Sequence, residues 1–101
     1  GAVVENCLIT EGCEIMGKAV HSILSSGVIV EEGAEVIDSV IMPGAVIRKG
    51  AVVRRAIVAE NAEVTAGCVV GEEEGLIAVV GPGVKMPENT AVKAGEQFAE
   101  A

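Results

Sequence analysis

The chain has 101 residues and a formal net charge of −8, and half of its residues are hydrophobic although only Phe98 is aromatic. Such an acidic chain lacks the clustered lysine and arginine that nucleic acids or anionic membranes attract, so we expect neither partner. Without aromatic residues to fill volume, the interior has to be a narrow, regular space lined by aliphatic side chains. No apolar run approaches the roughly 20 residues of a transmembrane helix.

Aliphatic residues recur along the chain in units of six residues. Leu24, Ile41 and Val58 lie 17 residues apart, and each is followed by further aliphatic residues 6 and 12 positions later. A fixed short period predicts a solenoid, and hexads predict an all-β, parallel β-helix with triangular coils of about 17 residues. Val40, beside Ile41, is also expected to face inward. The predicted inward residues are Val4, Ile9, Ile15, Leu24, Val30, Val36, Ile41, Ile47, Val53, Val58, Val64, Val70, Val80, Met86 and Val92.

The corners of each coil are predicted from the residues just before these strands. A residue no larger than valine lies two positions before each inward aliphatic residue and shares its face, because a strand alternates sides. The position before that small residue is mostly Gly or Asn, which adopt positive φ most readily. These corners are Gly12, Gly27, Gly33, Gly44, Gly50, Asn61, Gly67, Gly83 and Asn89. At the one shorter corner of each coil the position holds Asn6, His21, Asp38 and Arg55, which we expect to form a solvated polar ladder.

Two coils depart from the 17-residue step. The step after Ile9 is 15 residues, which predicts a two-residue deletion around residues 16–18. The step after Val58 is 22 residues, which predicts a five-residue insertion within residues 71–76. This insertion is expected to project as an acidic loop, either as a contact site or as a tolerated surface bulge.

The repeat is predicted to form a β-helix over residues 1–94, with residues 95–101 as a tail or cap in which Phe98 folds over the last coil. Because the chain starts in repeat register without an initiator methionine, we expect a fragment of a longer polypeptide, with Gly1 as a leftover tag residue. A secretory signal is not visible and the three cysteines are scattered, which predicts reduced thiols and a cytoplasmic location.

Four segments resemble the C-terminal β-helix domain of bacterial glucose-1-phosphate adenylyltransferases, or ADP-glucose pyrophosphorylases. They are residues 7–15, 22–30, 38–44 and 56–58, of which the Ser-Val-Ile-Met-Pro-Gly block at 39–44 is the most specific. The order of steps (15, 17, 17) is also similar to that family. The resemblance implies a left-handed β-helix, an exception to the right-handed rule for parallel crossovers.

The resemblance also implies a parent enzyme with two domains. An N-terminal domain joins ATP and glucose 1-phosphate into ADP-glucose and pyrophosphate with Mg²⁺, for glycogen synthesis. The β-helix packs against that catalytic domain, helps to assemble a homo- or hetero-oligomer and shapes an allosteric effector site. The glycine-rich nucleotide loop of the family does not occur in this sequence, so we assign no catalytic residue, metal ligand or cofactor to this segment. A catalytic subunit and a paralogous regulatory subunit both fit.

One basic cluster is the candidate binding surface, spread over two successive corners. Arginine forks suit phosphate, and the resembled family binds phosphorylated effectors. The alternative role is charge balance against Glu31, Glu32 and Glu35, one coil earlier. The candidate effector or subunit contacts are Arg48, Lys49, Arg54 and Arg55.

Two other functions stay open. In a β-helix acyltransferase, or a fragment of one, His21 would act as the general base, but the sequence shows no second polar catalytic partner for it. A purely structural scaffold would use its flat faces for assembly. A single histidine excludes a three-histidine zinc site, the cysteines occupy small inward positions, and the glutamates at 72–74 are predicted to be solvated.

Overall fold

The structure, a computed structural model, describes residues 2–99, and every regular element in that range is a short β-strand. The strands are β1 (Val3–Glu5), β2 (Leu8–Ile9), β3 (Glu14–Ile15), β4 (Lys18–Val20), β5 (Ile23–Leu24), β6 (Ile29–Val30), β7 (Glu35–Ile37), β8 (Val40–Ile41), β9 (Val46–Ile47), β10 (Val52–Arg54), β11 (Ala56–Val58), β12 (Glu63–Val64), β13 (Val69–Val70), β14 (Ala78–Val80), β15 (Ala91–Val92) and β16 (Gln97–Phe98). Among residues 2–99 there is no helix long and apolar enough to cross a membrane.

The strands form three parallel sheets, one on each side of a triangular coil. Face A contains β1, β4, β7, β10, β13 and β15, face B contains β2, β5, β8, β11, β14 and β16, and face C contains β3, β6, β9 and β12. This arrangement confirms the predicted fold class, a parallel β-solenoid of about six turns that is consistent with a left-handed β-helix.

The pairing register reproduces the predicted steps. Lys18 pairs with Glu35 and Glu35 with Val52, so neighbours on face A lie 17 residues apart. Leu8 pairs with Ile23, a step of 15, which confirms the deletion. On the same face, the partner of Val58 is Val80, a step of 22, which confirms the insertion.

The core is a single column of small and aliphatic side chains inside the prism. From Leu24 to Val92, every predicted inward aliphatic residue is buried. Val4 and Ile9 are 46% and 42% exposed, because they lie in the first coil at one end of the described solenoid. Ala19 is the inward residue of β4 and is fully buried, although the spacing did not predict it as an inward residue.

The predicted corner residues all have positive φ, as the Gly and Asn pattern indicated. At the shorter corner the same backbone conformation occurs at Asn6, His21, Asp38 and Arg55, with φ between 46° and 53°. For His21 and Arg55 the left-handed conformation costs roughly 1–2 kcal/mol, because a Cβ crowds the following carbonyl. The corner therefore depends on stabilising contacts elsewhere.

Buried serines supply such contacts at the shorter corner. Ser22 Oγ donates to the Val20 carbonyl at 2.8 Å and accepts the Ser39 N–H at 3.1 Å. Ser39 Oγ donates to the Ile37 carbonyl at 2.8 Å and accepts the Ala56 N–H at 3.2 Å. The two hydroxyls thus satisfy buried backbone groups of three successive coils.

The expectation that Val40 and Ile41 both face inward was wrong. Ile41 is fully buried, whereas Val40 is 36% exposed on the outer surface of face B. Adjacent residues of a strand point to opposite sides, so only one member of the pair can reach the core.

The parallel pairing continues beyond residue 94. Phe98 lies beside Val80 in the β16–β14 pair and is half-buried against the core, so it extends the sheet as a strand residue. The division into residues 1–94 and 95–101 stays a prediction. Gly1 and residues 100–101 lie outside the described residues.

Candidate functional site

The four basic candidates lie on two edges of the prism, as their spacing predicted. Arg48 and Lys49 follow β9 at the corner between faces C and A. Arg54 ends β10, and Arg55 occupies the next corner, between faces A and B. The cluster in the sequence is therefore two separate sites in space.

Arg48 is held by two carboxylates from different coils. Its Nη1 lies 2.8 Å from Glu31 Oε2 in the coil before, and its Nε lies 2.8 Å from Glu63 Oε2 in the coil after. The other oxygen of Glu31 accepts the backbone N–H of Lys49 at 3.0 Å. Charge balance with Glu31 is thus present, and Glu63 is a partner that the 17-residue spacing did not identify.

The ion pairs perturb the acid–base properties of these groups. The pKa of Glu31 lies below its ordinary value, chiefly because Arg48 donates a hydrogen bond to its charged form, although burial acts in the opposite direction. The pKa of Arg48 is raised by its hydrogen bonds to Glu63 and Glu31. Both carboxylates compete with any added anion for this guanidinium.

A groove of about 520 Å³ opens beside Arg48. Its walls carry the positively charged Lys49 and Lys85 and the negatively charged Glu63 and Glu88. Mixed charge of this kind makes the groove neither a dedicated anion site nor a cation site.

At the second corner, Arg54 and Arg55 contact the inserted loop. Arg54 Nη1 lies 3.4 Å from Glu73 Oε1, and Arg55 Nη2 donates to the Gly75 carbonyl at 3.0 Å. The Nε atoms of both arginines are shielded from solvent and have no hydrogen-bond partner within residues 2–99. Their guanidinium groups are therefore less fully paired than that of Arg48.

The acidic loop is anchored to the solenoid. Glu72 Oε2 accepts the Ala94 N–H at 2.8 Å, and the Leu76 carbonyl accepts the Gly95 N–H at 3.0 Å. Leu76 itself remains 78% exposed. The insertion is thus an anchored acidic loop beside Arg54 and Arg55 that ends in the exposed Leu76.

His21 has a polar partner that the sequence did not reveal. Its Nδ1 lies 2.9 Å from Asp38 Oδ1, one coil away, and the two side chains are 73% and 46% exposed. The 17-residue spacing of the polar ladder brings the two together, and it was the available signal. The pair is solvated, as predicted for the ladder.

The cysteines serve as small core residues in the structure. Cys68 is buried, and Cys7 and Cys13 pack partly buried against the core. In the described part of the chain, no group of three or more His, Cys, Asp or Glu residues is arranged to hold a metal ion. The glutamates at 72–74 are exposed.

The triangular coils, the hexad pattern and the buried aliphatic column define a hexapeptide-repeat β-helix. Residues 1–76 match the family described as GlmU-like, C-terminal hexapeptide. The chain belongs to this family.

Several curated relatives of the chain share one name. The chain is 62% identical over 42 residues to the glucose-1-phosphate adenylyltransferases of Bacillus thuringiensis (strain Al Hakam) and Bacillus anthracis, and 60% identical to that of Bacillus cytotoxicus. Each match covers 42% of this chain and 11% of the relative. The chain thus spans a small part of the relatives that it matches, and their similarity confirms the resemblance noted from the sequence.

Proposed function

We propose that this β-helix is the non-catalytic assembly and allosteric domain of a cytoplasmic glucose-1-phosphate adenylyltransferase. The parent enzyme would make ADP-glucose from ATP and glucose 1-phosphate for glycogen synthesis. The observation that carries the proposal is the 60–62% identity to enzymes of that name. The chain would serve in either a catalytic or a regulatory subunit.

The distribution of side chains supports a non-catalytic role. The interior of the coils within residues 2–99 is filled mainly by aliphatic residues such as Ile41 and Val58, not by the polar side chains that a reaction requires. ATP and Mg²⁺ would bind the N-terminal catalytic domain of the parent chain. The β-helix would act on that domain through its outer surface.

Among the candidate contacts, Arg54 and Arg55 suit a phosphorylated effector or a neighbouring subunit best. Arg54 Nη1 and Arg55 Nη2 are held by Glu73 and the Gly75 carbonyl, and an incoming phosphate could accept from these two donors instead. Arg48 and Lys49 would contribute less, because Glu31 and Glu63 already bind the Arg48 guanidinium.

A chimeric enzyme tests the domain assignment. The purified chain is assayed alone with ATP, glucose 1-phosphate and Mg²⁺, and we expect no ADP-glucose. The chain then replaces the matching segment of the Bacillus anthracis enzyme, and we expect an assembled, active chimera. The control chimera carries Ile41→Asp, which we expect to unfold the middle coils of the segment. Turnover by the chain alone, or an inactive and unassembled chimera, would contradict the proposal.

The effector contacts are tested in the same chimera. Arg54→Gln with Arg55→Gln is compared with Lys18→Gln, a basic residue of β4, which lies two strands from β10 on face A. Inorganic phosphate and a sugar phosphate are the probes, and we expect the double variant alone to lose their effect on the rate. If the double variant still responds to these probes, Arg54 and Arg55 do not bind the effector, and Arg48 and Lys49 become the candidates.

An acyltransferase is the second candidate, and the His21–Asp38 pair favours it. A carboxylate on Nδ1 fixes the tautomer that leaves Nε2 as a base, as in hydrolytic triads. The exposure of both side chains favours the polar ladder instead. Transfer from acetyl coenzyme A to an amine or sugar acceptor, abolished by His21→Ala, would establish the second candidate. If no acetyl transfer is detected, the acyltransferase candidate is wrong. Assembly then remains the proposed function, and a purely structural scaffold is its simplest form.

A further inference from the structure

The outer surface of face B carries an uncharged stripe that runs across five coils. Five outward residues lie in register from strand to strand, each beside the next. Leu8 is 70% exposed, Ile23 43% and Val40 36%. The apolar stripe consists of Leu8, Ile23, Val40, Ile57 and Val79.

On the other faces, charged residues interrupt the outward positions, although Val52 and Val69 are neighbours on face A. The corresponding positions of face A include Lys18 and Glu35, and those of face C include Glu14, Glu63 and Lys85. A contiguous apolar surface on one side of an acidic chain is typical of an interaction site. Leu76 and Ile77, which directly precede β14, are also 78% and 51% exposed.

We propose that two copies of this chain pair through the apolar stripe of face B, with their solenoid axes antiparallel. The inference deepens the assembly role and rests on the proposed function for its place in the enzyme, whereas the pairing itself is a property of this chain. The shorter-corner ladder forms one border of the stripe and sets the orientation.

Charge complementarity favours the antiparallel arrangement. A two-fold axis across face B, between the third and fourth coils, sets the ladder of one copy against that of the other. Asp38 of each copy, which contacts His21 in its own chain, then lies opposite Arg55 of the other copy, which contacts the Gly75 carbonyl in its own chain. His21 lies opposite the acidic loop at 72–74. In the same register Val40 meets Ile57, and Ile23 meets Val79, so the apolar contacts and the charges agree.

The area of the stripe limits the strength of this pairing. Five strands about 4.8 Å apart, with sides of about five residues at about 3.3 Å each, cover about 400 Å² per copy. A standard interface buries about 800 Å² per partner. The chain alone is therefore expected to form a weak, reversible dimer, which further surface of a longer parent chain would strengthen.

Sedimentation velocity over a range of concentrations tests the pairing. We expect a monomer–dimer equilibrium in the chain as it stands. Val40→Asp, at the centre of the stripe, is expected to raise the dissociation constant about tenfold or more, because it places an unpaired carboxylate in the interface. Val46→Asp is the matched control, since Val46 is the outward valine of the same coil on face C, and it is expected to leave the equilibrium unchanged. Thermal melts verify that both variants fold.

Charge reversal tests the orientation. Asp38→Arg and Arg55→Asp are each expected to weaken the dimer, and the double variant is expected to restore it, because the antiparallel pairs are re-formed with exchanged signs. A monomer at all concentrations, a dimer insensitive to Val40→Asp, or a double variant as weak as the single ones would overturn the proposal.

The hydrodynamic test is independent of ADP-glucose chemistry. If the chimera is inactive but the isolated chain forms a dimer that Val40→Asp weakens, the proposed function is wrong and the pairing is still supported. A chain that stays monomeric while Val40→Asp dissociates the chimeric enzyme would show that another domain covers face B, which contradicts pairing of two copies.

Discussion

The two irregular coils contain glycines that are crowded by the backbone of a neighbouring coil, unlike the corner glycines of the regular coils, of which Gly44 is crowded only by the Asn61 side chain. In the regular coils, Gly27 and Gly50 lie at open corners with positive φ, and a Cβ there would meet no atom within 4 Å. In the irregular coils, Gly17 and Gly71 are buried, and a Cβ would overlap carbonyl oxygens of a neighbouring coil. A change of coil length is thus accommodated where the backbones of two coils touch.

The regular coils depend on their core, and Ile41→Asp is expected to have the largest effect. It would bury an unpaired carboxylate in the middle of the column, at a cost of more than about 4 kcal/mol, and unfold the middle coils. Val40→Asp, one residue away but outside, is the control and is expected to keep a cooperative melt. Circular dichroism during heating measures both, and a native melt for Ile41→Asp would refute the assigned register.

The irregular coils are tested by Gly17→Ala. The new methyl group would press against the Ala34 and Glu31 carbonyls, and forced backbone shifts of this kind cost about 1–3 kcal/mol. Gly50→Ala is the matched variant: it has free space but a φ of 73°, so its cost of roughly 1–2 kcal/mol arises from backbone strain alone. Urea unfolding compares the two, and equal losses would show that the close approach at Gly17 is unimportant.

The shorter corner of the regular coils is tested by Ser39→Ala. The change would leave the buried Ala56 N–H without an acceptor, at a cost of about 1–2 kcal/mol. Ser26→Ala, at an exposed corner position, is the control and is expected to change stability little. Hydrogen exchange at the Ala56 amide is the specific readout, since loss of its acceptor would speed exchange there. Unchanged protection would mean that another group bonds this amide.

The smallest expected effect concerns the ion pairs that link regular coils. Because the pKa of Glu31 is lowered in the folded state, its stabilising contribution is present above its ordinary pKa of 4.5 and is lost as the pH falls through the folded value. Glu31→Gln is therefore expected to reduce the loss of stability on acidification, when melting temperatures at neutral and acid pH are compared. Glu32→Gln, at the adjacent exposed glutamate, is the control. Identical pH profiles for both variants would contradict a role for the Glu31–Arg48 pair.

Much of the fold followed from the spacing, and the exceptions are instructive. Ala19 was missed because an alanine carries no aliphatic signal and the deletion shifted its position. Val40 was assigned to the wrong side, since two adjacent valine-like residues look alike in a periodic pattern. The spacing did not indicate the strand that contains Phe98, because pairing with β14 depends on the coil that precedes it.

The candidate site was predictable only in part. A 17-residue spacing indicated the Arg48–Glu31 pair, and it also relates His21 to Asp38. It did not indicate Glu63, which reaches Arg48 from 15 residues along the chain. Nor did it indicate that the inserted loop would contact Arg54 and Arg55, because the path of an insertion is not periodic.

The sequence by itself determined the repeat, the inward column, the corner glycines and the places where coil length changes, because each depends on residue size or φ preference at a fixed period. Only the tertiary structure decided which glycines are crowded, which side chains meet across coils, and that the outward residues of face B form one continuous apolar surface. Those features depend on the stacking of coils, and stacking joins residues through distances in space that a one-dimensional period does not contain.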